Sequence, residues 1–436
     1  MRPFPTVSSE PHPERQACSS HGFDIFRKPS LVLKSVWQQG FRATLPYWEH
    51  RVNTRCHCID DLRHTMQARV ALQVADYVVG GADQEITLKK NVEAFNSVAF
   101  NARFARCFDH VDMEVTILGH KSSMPVIAAP VGSLRTLFPA GEAVAASAIG
   151  KAGLICTLST LTGTRLEDVK EAANGPCWFQ LYLVGGRDVA VQAILRAKAA
   201  GYAALVLTID TPVAGHRMRD HYNGTPTLIH GTLWQKLPYV PRMLWHLNWL
   251  MGFYGDGGLM DFPNVQLKDG KPMAYADIGK QLENSAVTWA DLAWIREAWG
   301  ERPIIIKGVQ TIADAKLAME YGAAAIVISN HGGRQLDRSP STLTMLEDIG
   351  PHVDRTQTRV FMDGGVRSGA DVLIARALGA DAVLIGRAYA YGLGAGGGAG
   401  VSRALELMRA DMSHHMRLLG FQSIEEVGRE CIHALP

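Results

Sequence analysis

Ala323-Ala324-Ala325-Ile326-Val327-Ile328-Ser329-Asn330-His331-Gly332-Gly333-Arg334-Gln335-Leu336-Asp337 is the stretch that decides how this chain folds. Its first six residues are all apolar and read as a short strand buried on both faces. The strand runs into a polar turn that places His331 three residues before Arg334, with Gly332 and Gly333 between them so that the backbone can turn tightly. A base beside a fixed cation at the end of a buried strand suits removal of a proton from a small carboxylate-bearing substrate.

The same pattern recurs on both sides of this stretch. Short apolar runs at 125–129, 154–158, 177–181, 203–209, 303–306, 359–362 and 381–385 read as further strands, which with 323–328 makes eight. Helical patterns lie between them at 141–152, 166–173, 189–200, 312–321 and 369–378, and Gly201, Gly322 and Gly379 stand where such helices end. Eight strand-then-helix units predict an α/β fold, a (β/α)8 TIM barrel. The competing architecture is an open doubly wound sheet. It is disfavoured because no G-x-G-x-x-G follows the first strand. A helix over 59–79 is expected to pack against the base or mouth of the barrel.

In such a barrel the functional groups sit at the C-terminal ends of the strands. Those positions carry Pro130 and Gly132, then Ser159, then Gln180 and Tyr182, then Thr208, Asp210 and Arg217. The fifth strand delivers Lys307, the sixth Ser329, His331 and Arg334, the seventh Asp363, Gly364, Gly365 and Arg367, and the eighth Gly386 and Arg387. Glycines with a nearby arginine at two consecutive strand ends suit a phosphate, because glycine N–H groups can approach an anion closely. Lys307 at the mouth suits neutralisation of an anionic intermediate or a reduced cofactor. Alternate strands can face each other across the mouth, so Asp210 can reach one nitrogen of His331, fix its tautomer and stabilise its protonated form. Arg217 and Arg334 can each grip a carboxylate with two N–H groups, and Tyr77 and Tyr182 can donate to the same anion. Taken singly, an arginine is more often in a surface ion pair and a buried tyrosine is more often packing.

Composition narrows the partners. The chain has 436 residues, is 47% hydrophobic and 20% charged, and carries a net charge of +2, with no long basic run that would suggest nucleic acid. Seven cysteines without framework spacing suggest reduced thiols and a cytoplasmic setting. Cys56-His57-Cys58 lacks the matching second half of a zinc site, so no metal is expected. Residues 1–58 read as an N-terminal extension whose first 30 residues are poorly ordered and contain no secretory signal, with the barrel domain spanning 59–436. No run of 18 apolar residues predicts a spanning helix.

The connection between the fourth and fifth strands is far longer than a normal unit, and residues 221–287 read as an insertion. Within it, 237–254 is rich in Trp, Tyr, Leu and Met with few charges. It suits a core helix, a subunit contact or a patch lying on a membrane surface, at the inner face of the membrane in the last case.

At this level of detail the chain resembles the FMN-dependent 2-hydroxy acid oxidases and dehydrogenases, a group that includes glycolate oxidase, mandelate dehydrogenase and bacterial L-lactate dehydrogenase. The resemblance runs from about residue 59 to 433 and rests on Ser329–Asp337 together with Asp76-Tyr77, Gly80-Gly81-Ala82, Phe179-Gln180-Leu181-Tyr182, Thr208-Ile209-Asp210-Thr211-Pro212, Lys307-Gly308 and Asp363-Gly364-Gly365-Val366-Arg367. It implies an FMN-binding (β/α)8 barrel. It makes His331 the base, with Asp210 behind it and Tyr182 beside it. Arg217, Arg334, Tyr77 and Tyr182 would hold the substrate, and Lys307 would face the N1/O2 edge of the flavin. Pro130, Gly132, Ser159, Gln180, Thr208 and Ser329 would contact the ring or ribityl chain, and Asp363, Gly364, Gly365, Arg367, Gly386 and Arg387 the ribityl and phosphate.

The resemblance also implies oxidation of an L-2-hydroxy acid to the 2-oxo acid, with L-lactate the first substrate expectation, a quinone, cytochrome or O2 as the next electron acceptor, and a homotetramer. Leu161 stands where glycolate oxidase has a tryptophan near the substrate side chain, which argues for a wider pocket. Gly132 stands where many oxidases have alanine, which favours a dehydrogenase, and His216 replaces an arginine of some relatives just before Arg217. In membrane-associated members the region after strand four contacts the membrane, which is where 237–254 falls. The alternative is a specialised oxidase of a biosynthetic pathway, using O2 on a larger hydroxy acid or modified precursor. A flavin-binding scaffold without turnover is disfavoured because His331, Arg334, Lys307 and Asp210 are all present.

Overall fold

The computed structural model describes residues 31–434 apart from 268 and 284, so the expectation of poor order over the first 30 residues lies outside the described residues. The chain opens with α1 (Leu31–Arg55), α2 (Ile59–Arg69) and α3 (Leu72–Val79). Eight parallel strands follow: β1 (Val126–Ala128), β2 (Ile155–Leu158), β3 (Cys177–Leu181), β4 (Ala204–Thr208), β5 (Ile304–Val309), β6 (Ala325–Ile328), β7 (Arg359–Asp363) and β8 (Ala382–Ile385). They close into a barrel, with β8 pairing β1 through Ile385 and Ala128, and β4 pairing β5 through Thr208 and Lys307. The open-sheet alternative is therefore wrong.

The strands form where the sequence is continuously apolar because both faces are covered. Side chains fill the barrel on one face, where Trp178 stacks on Phe361 with ring centroids 6.0 Å apart, and helices pack on the other. All the residues of β2, β3, β4, β5, β6 and β8 are buried.

Three expectations need correction. Lys307 does not follow the fifth strand but lies inside it, because β5 continues to Val309 across a bulge at Gly308. Gly308 adopts φ 101°, and a Cβ there would come within 2.7 Å of Asp210 Cβ, so glycine is what lets the two strand ends approach. The helix expected over 59–79 is two helices, since Val70 is extended (φ −97°, ψ 157°) and the second helix starts afresh at Leu72. Residues 237–254 also break: a 3-10 turn and a short helix, Val240–Leu244, precede α4 (Leu247–Gly255).

The extension preceding the barrel is a 25-residue helix, α1. It packs against α4, with Gln38 Nε2 donating to the Gly255 carbonyl at 2.9 Å. The buried Arg69 at the end of α2 holds this corner. Its guanidinium lies 5.3–5.7 Å from the rings of Phe41, Trp48 and Phe138 and donates to the Gly394 carbonyl in α5 (Arg387–Leu419), two helical segments joined by a non-helical kink at Gly396 and Gly397. Cys56-His57-Cys58 is the lead-in to α2, where the backbone N–H groups of His57 and Cys58 donate to the Asp61 carboxylate.

Candidate active site

A cavity of about 340 Å³ opens at the C-terminal end of the barrel. Of the residues singled out in the sequence, Tyr77, Pro130, Gly132, Ser159, Leu161, Tyr182, Thr208, Arg217, Lys307, His331, Arg334, Asp363, Gly364, Gly365, Arg367, Gly386 and Arg387 line it. Gln180, Asp210 and Ser329 stand one layer behind and hold the lining residues: Gln180 Nε2 donates to Thr208 Oγ1 at 3.0 Å, and Ser329 Oγ accepts from Lys307 Nζ at 2.8 Å.

His331 is at the centre. Its Nδ1 lies 2.9 Å from Asp210 Oδ1, and its Nε2 faces the Tyr182 hydroxyl at 3.4 Å. Burial alone would raise the Asp210 pKa, but His331 and Lys307 together hold it below the ordinary carboxylate value. A charged Asp210 keeps the proton on Nδ1 and leaves Nε2 free toward the cavity. The His331 backbone is left-handed (φ 58°), a conformation that costs a non-glycine residue on the order of 1–3 kcal/mol, and the Ser329 hydroxyl accepts its N–H at 3.0 Å. The Tyr182 hydroxyl, held by burial and the nearby Asp210 well above its ordinary pKa, stays protonated and serves as a donor.

One wall is cationic. Arg334 and Arg217 both face the Tyr77 ring, at 4.9 and 5.2 Å. Arg334 is anchored on the Tyr77 and Gly80 carbonyls, and Arg217 on Asp220 at 2.8 Å. The Tyr77 hydroxyl donates to the Gly132 carbonyl at 3.3 Å. Opposite, Lys307 is buried between Ser329 and Asp363, with Nζ 2.7 Å from Asp363 Oδ2. At the ends of β7 and β8, Arg387 donates to the carbonyls of Val78, Gly80 and Gly332, and Arg367 to that of Val366. Burial pulls the Arg387 pKa down to about 9, and Arg334 and Arg367 push it the same way.

Other side chains that build the site have roles the sequence does not assign. Gln335 donates to the carbonyls of Asp210 and Val213 and accepts from Gly215 N–H, all at 3.0 Å, so it ties the loop after β4 to the loop after β6. Asn330 and Asn91 exchange a pair of amide hydrogen bonds at 2.8 and 2.9 Å beneath the His331 turn. Tyr275, Ile278 and Leu282, from the insertion, complete the wall that includes Leu161. Asn330 and Gln335 stand inside the opening stretch, but what they and the insertion residues do is not written there, because each acts through partners distant in the chain.

The cavity fits a phosphorylated flavin. Arg334, Arg367 and Arg387 make no ion pair with an acidic side chain among the described residues, so this cation cluster lacks a counter-anion. Asp363 Oδ1 is buried without a hydrogen-bond partner, as an acceptor for a ribityl hydroxyl would be. A profile described as FMN-dependent dehydrogenase matches residues 66–434. The chain belongs to the FMN-dependent dehydrogenase family.

Its relatives agree with this FMN-dependent dehydrogenase assignment. An L-lactate dehydrogenase of Chromohalobacter salexigens is 39% identical over 375 residues, covering 85% of this chain and 94% of that protein. One of Serratia proteamaculans is 39% identical over 376 residues, covering 85% and 97%. Among solved structures, the monotopic membrane protein (S)-mandelate dehydrogenase superposes with a TM-score of 0.80 at 31% identity, covering 87% of this chain and all of that one. A mandelate oxidase superposes with a TM-score of 0.70 at 30% identity, covering 86% and 97%. The family's cofactor is FMN and its activity is oxidation of 2-hydroxy acids.

Proposed function

We propose that this FMN-dependent 2-hydroxy acid dehydrogenase oxidises an L-2-hydroxy acid, L-lactate being the first candidate, with His331 as the base. The observation that carries the reading is the Asp210–His331–Tyr182 chain, with Nε2 of His331 turned toward the Tyr182 hydroxyl in a cavity whose neighbouring wall is Arg334 and Arg217. The substrate carboxylate would sit on those two guanidinium groups and Tyr77, which directs its hydroxyl toward His331. Nε2 of His331 takes the hydroxyl proton, and Asp210 stabilises the imidazolium that results. Tyr182 donates a hydrogen bond to the substrate oxygen. Arg367, Arg387, Gly364, Gly365 and Gly386 would hold the FMN phosphate and ribityl end, Pro130, Gly132, Ser159 and Thr208 the ring side, and Lys307 the N1/O2 edge. When bound, FMN would supply the acceptor for the two electrons and the second hydrogen that leave the substrate, with a quinone, a cytochrome or O2 as the next acceptor.

Anaerobic mixing with a panel of 2-hydroxy acids tests the assignment. Bleaching of the flavin by L-lactate is expected, and an absorbance untouched by every acid of the panel would refute it. A second reading has its own support. Leu161, Tyr275, Ile278 and Leu282 give the cavity an apolar wall, which suits a side chain larger than methyl. On that reading the enzyme is an oxidase acting on a larger hydroxy acid or modified precursor, and reduced enzyme would form peroxide rapidly on exposure to air.

The Trp-rich insertion divides in two. Trp249, Leu250 and Phe253 are buried, whereas Trp234 and Trp245 are 80% and 87% exposed, alongside Leu244 and Leu247. No helix among the described residues is long and apolar enough to cross a membrane. The exposed group suits peripheral attachment to the inner face of a membrane by a cytoplasmic homotetramer. Flotation with anionic vesicles and sedimentation of the free protein test the two parts of that proposal.

A further inference from the structure

Leu161 reaches the cavity from the loop after β2, and that loop is held along most of its length. The Leu161 N–H donates to Ser159 Oγ at 3.2 Å, and its carbonyl accepts from Ser133 N–H at 2.9 Å. The Gly163 N–H points to Glu142 Oε1 at 3.4 Å, and its carbonyl accepts from Arg135 Nη1 at 2.8 Å. The Thr164 hydroxyl donates to Glu142 Oε2 at 2.8 Å. Asn264, 1% exposed, closes the loop: its Nδ2 donates to Thr162 Oγ1 and the Thr164 carbonyl at 2.9 and 3.0 Å, and its Oδ1 accepts from Leu166 N–H at 2.9 Å.

Two of these holding points come from the insertion after β4. Asn264 is on its strand Asp261–Gln266. Arg135 belongs to the turn after β1, but its Nε is fixed 2.6 Å from Oδ2 of Asp256, the residue that ends α4, and a second guanidinium nitrogen donates to the Asp256 carbonyl. The Asp256 carboxylate also accepts from Ala140 N–H at 3.2 Å. Arg135 and Asn264 have no place in the chemistry. Neither lines the cavity, yet Arg135 Nη1, fixed by the Asp256 contacts, and both polar atoms of Asn264 bond to residues 162–166 of the loop that carries Leu161.

We propose that Arg135 and Asn264 are positioning residues for substrate choice. The insertion then selects the substrate side chain indirectly, by fixing the loop that presents Leu161, as well as through the insertion residues that line the cavity. The physical reason is the stiffness an apolar pocket needs. Discrimination between side chains differing by a few methylenes comes from fit, and a wall free to shift by about 1 Å loses it. The inference rests on the reading of the cavity as a 2-hydroxy acid site.

The test uses the FMN-loaded full chain and two acids, L-lactate and an acid with a bulky apolar side chain such as L-mandelate. For each, the limiting rate of anaerobic flavin bleaching over the apparent Kd is measured in wild type, Asn264→Ala, Arg135→Met and the milder Asp256→Asn. The bulky-to-small ratio is expected to move by on the order of tenfold in Asn264→Ala and Arg135→Met, with the flavin spectrum unchanged, and Arg135→Lys should recover most of it. A purely structural role would lower Tm and leave the ratio alone. A ratio within about twofold of wild type in the folded, FMN-loaded variants overturns the proposal, and Asp256→Asn decides the matter if the stronger variants do not fold. If wild type is bleached by neither acid, the parent reading fails instead. The same ratio is then read from binding of the two matching 2-oxo acids by flavin absorbance, where an unchanged value also overturns the positioning role.

Discussion

His331 combines a strained backbone, a charged partner on one nitrogen and a second nitrogen that faces the Tyr182 hydroxyl in the cavity. If it is the base, His331→Gln should retain FMN and its spectrum while the rate of flavin reduction by L-lactate falls by on the order of 10²–10⁴, read by anaerobic stopped-flow. Reduction at the wild-type rate would exclude the role. Gly365 makes a complementary case, in which the backbone rather than the side chain is required. Its φ is 85°, and a Cβ there would lie 2.0 Å from the Asn91 carbonyl oxygen. Gly365→Ala is therefore expected to lose FMN affinity along with stability, by more than the roughly 1–2 kcal/mol of left-handed strain alone. FMN titration and thermal unfolding of the variant check both.

At the scale of elements, the loops after β1 and β2 are joined through Glu142. Burial raises its pKa above the ordinary 4.5, against the hydrogen bonds it accepts. Because the folded protein holds that proton more tightly than the unfolded chain, the stability linked to Glu142 is full below pH 4.5 and declines as pH rises through the raised pKa. Glu142→Gln removes this dependence. Its Tm relative to wild type should climb as pH rises above 4.5, and a difference that stays flat would show that the carboxyl titrates normally. The insertion predicts a contrast between two tryptophans. Trp249 is buried and donates to the Thr136 carbonyl at 2.7 Å, whereas Trp245 is 87% exposed. Trp249→Ala should cost about 3–5 kcal/mol, whereas Trp245→Ala should leave unfolding unchanged and weaken vesicle binding. Denaturant unfolding with a flotation assay separates the two.

For the whole molecule, the closed barrel brings groups from the ends of all eight strands, together with Tyr77 from α3, around one cavity. Three of its arginines, Arg334, Arg367 and Arg387, make no ion pair among the described residues, so a bound anion adds contacts that the apo protein lacks. Free FMN at about 100 times its Kd should stabilise the fold by roughly 2.7 kcal/mol, so Tm should rise with added FMN and fall when it is stripped. A Tm indifferent to FMN would mean that the arginine cluster serves another anion.

The sequence by itself determined the barrel and the line-up of its mouth. Strands buried on both faces must be unbroken apolar runs, so their positions are legible within a residue or two except at β5, where the bulge at Gly308 carries the strand on to Val309, and barrel geometry then assigns the residues at their ends to the site. That is why the sequence alone assigns His331, Asp210, Lys307 and Arg387 to the barrel mouth. Only the tertiary structure decided how those residues are held. Gln335 lies 125 residues from Asp210, Asn264 lies 102 from Thr162, and Asp256 lies 121 from Arg135. A single polar side chain that bonds to distant backbone leaves no periodicity and no spacing to read. The same holds for α1 and for the division of the Trp-rich segment into a buried and an exposed half, because burial there depends on which helix arrives opposite, and that is settled only when the chain has closed on itself.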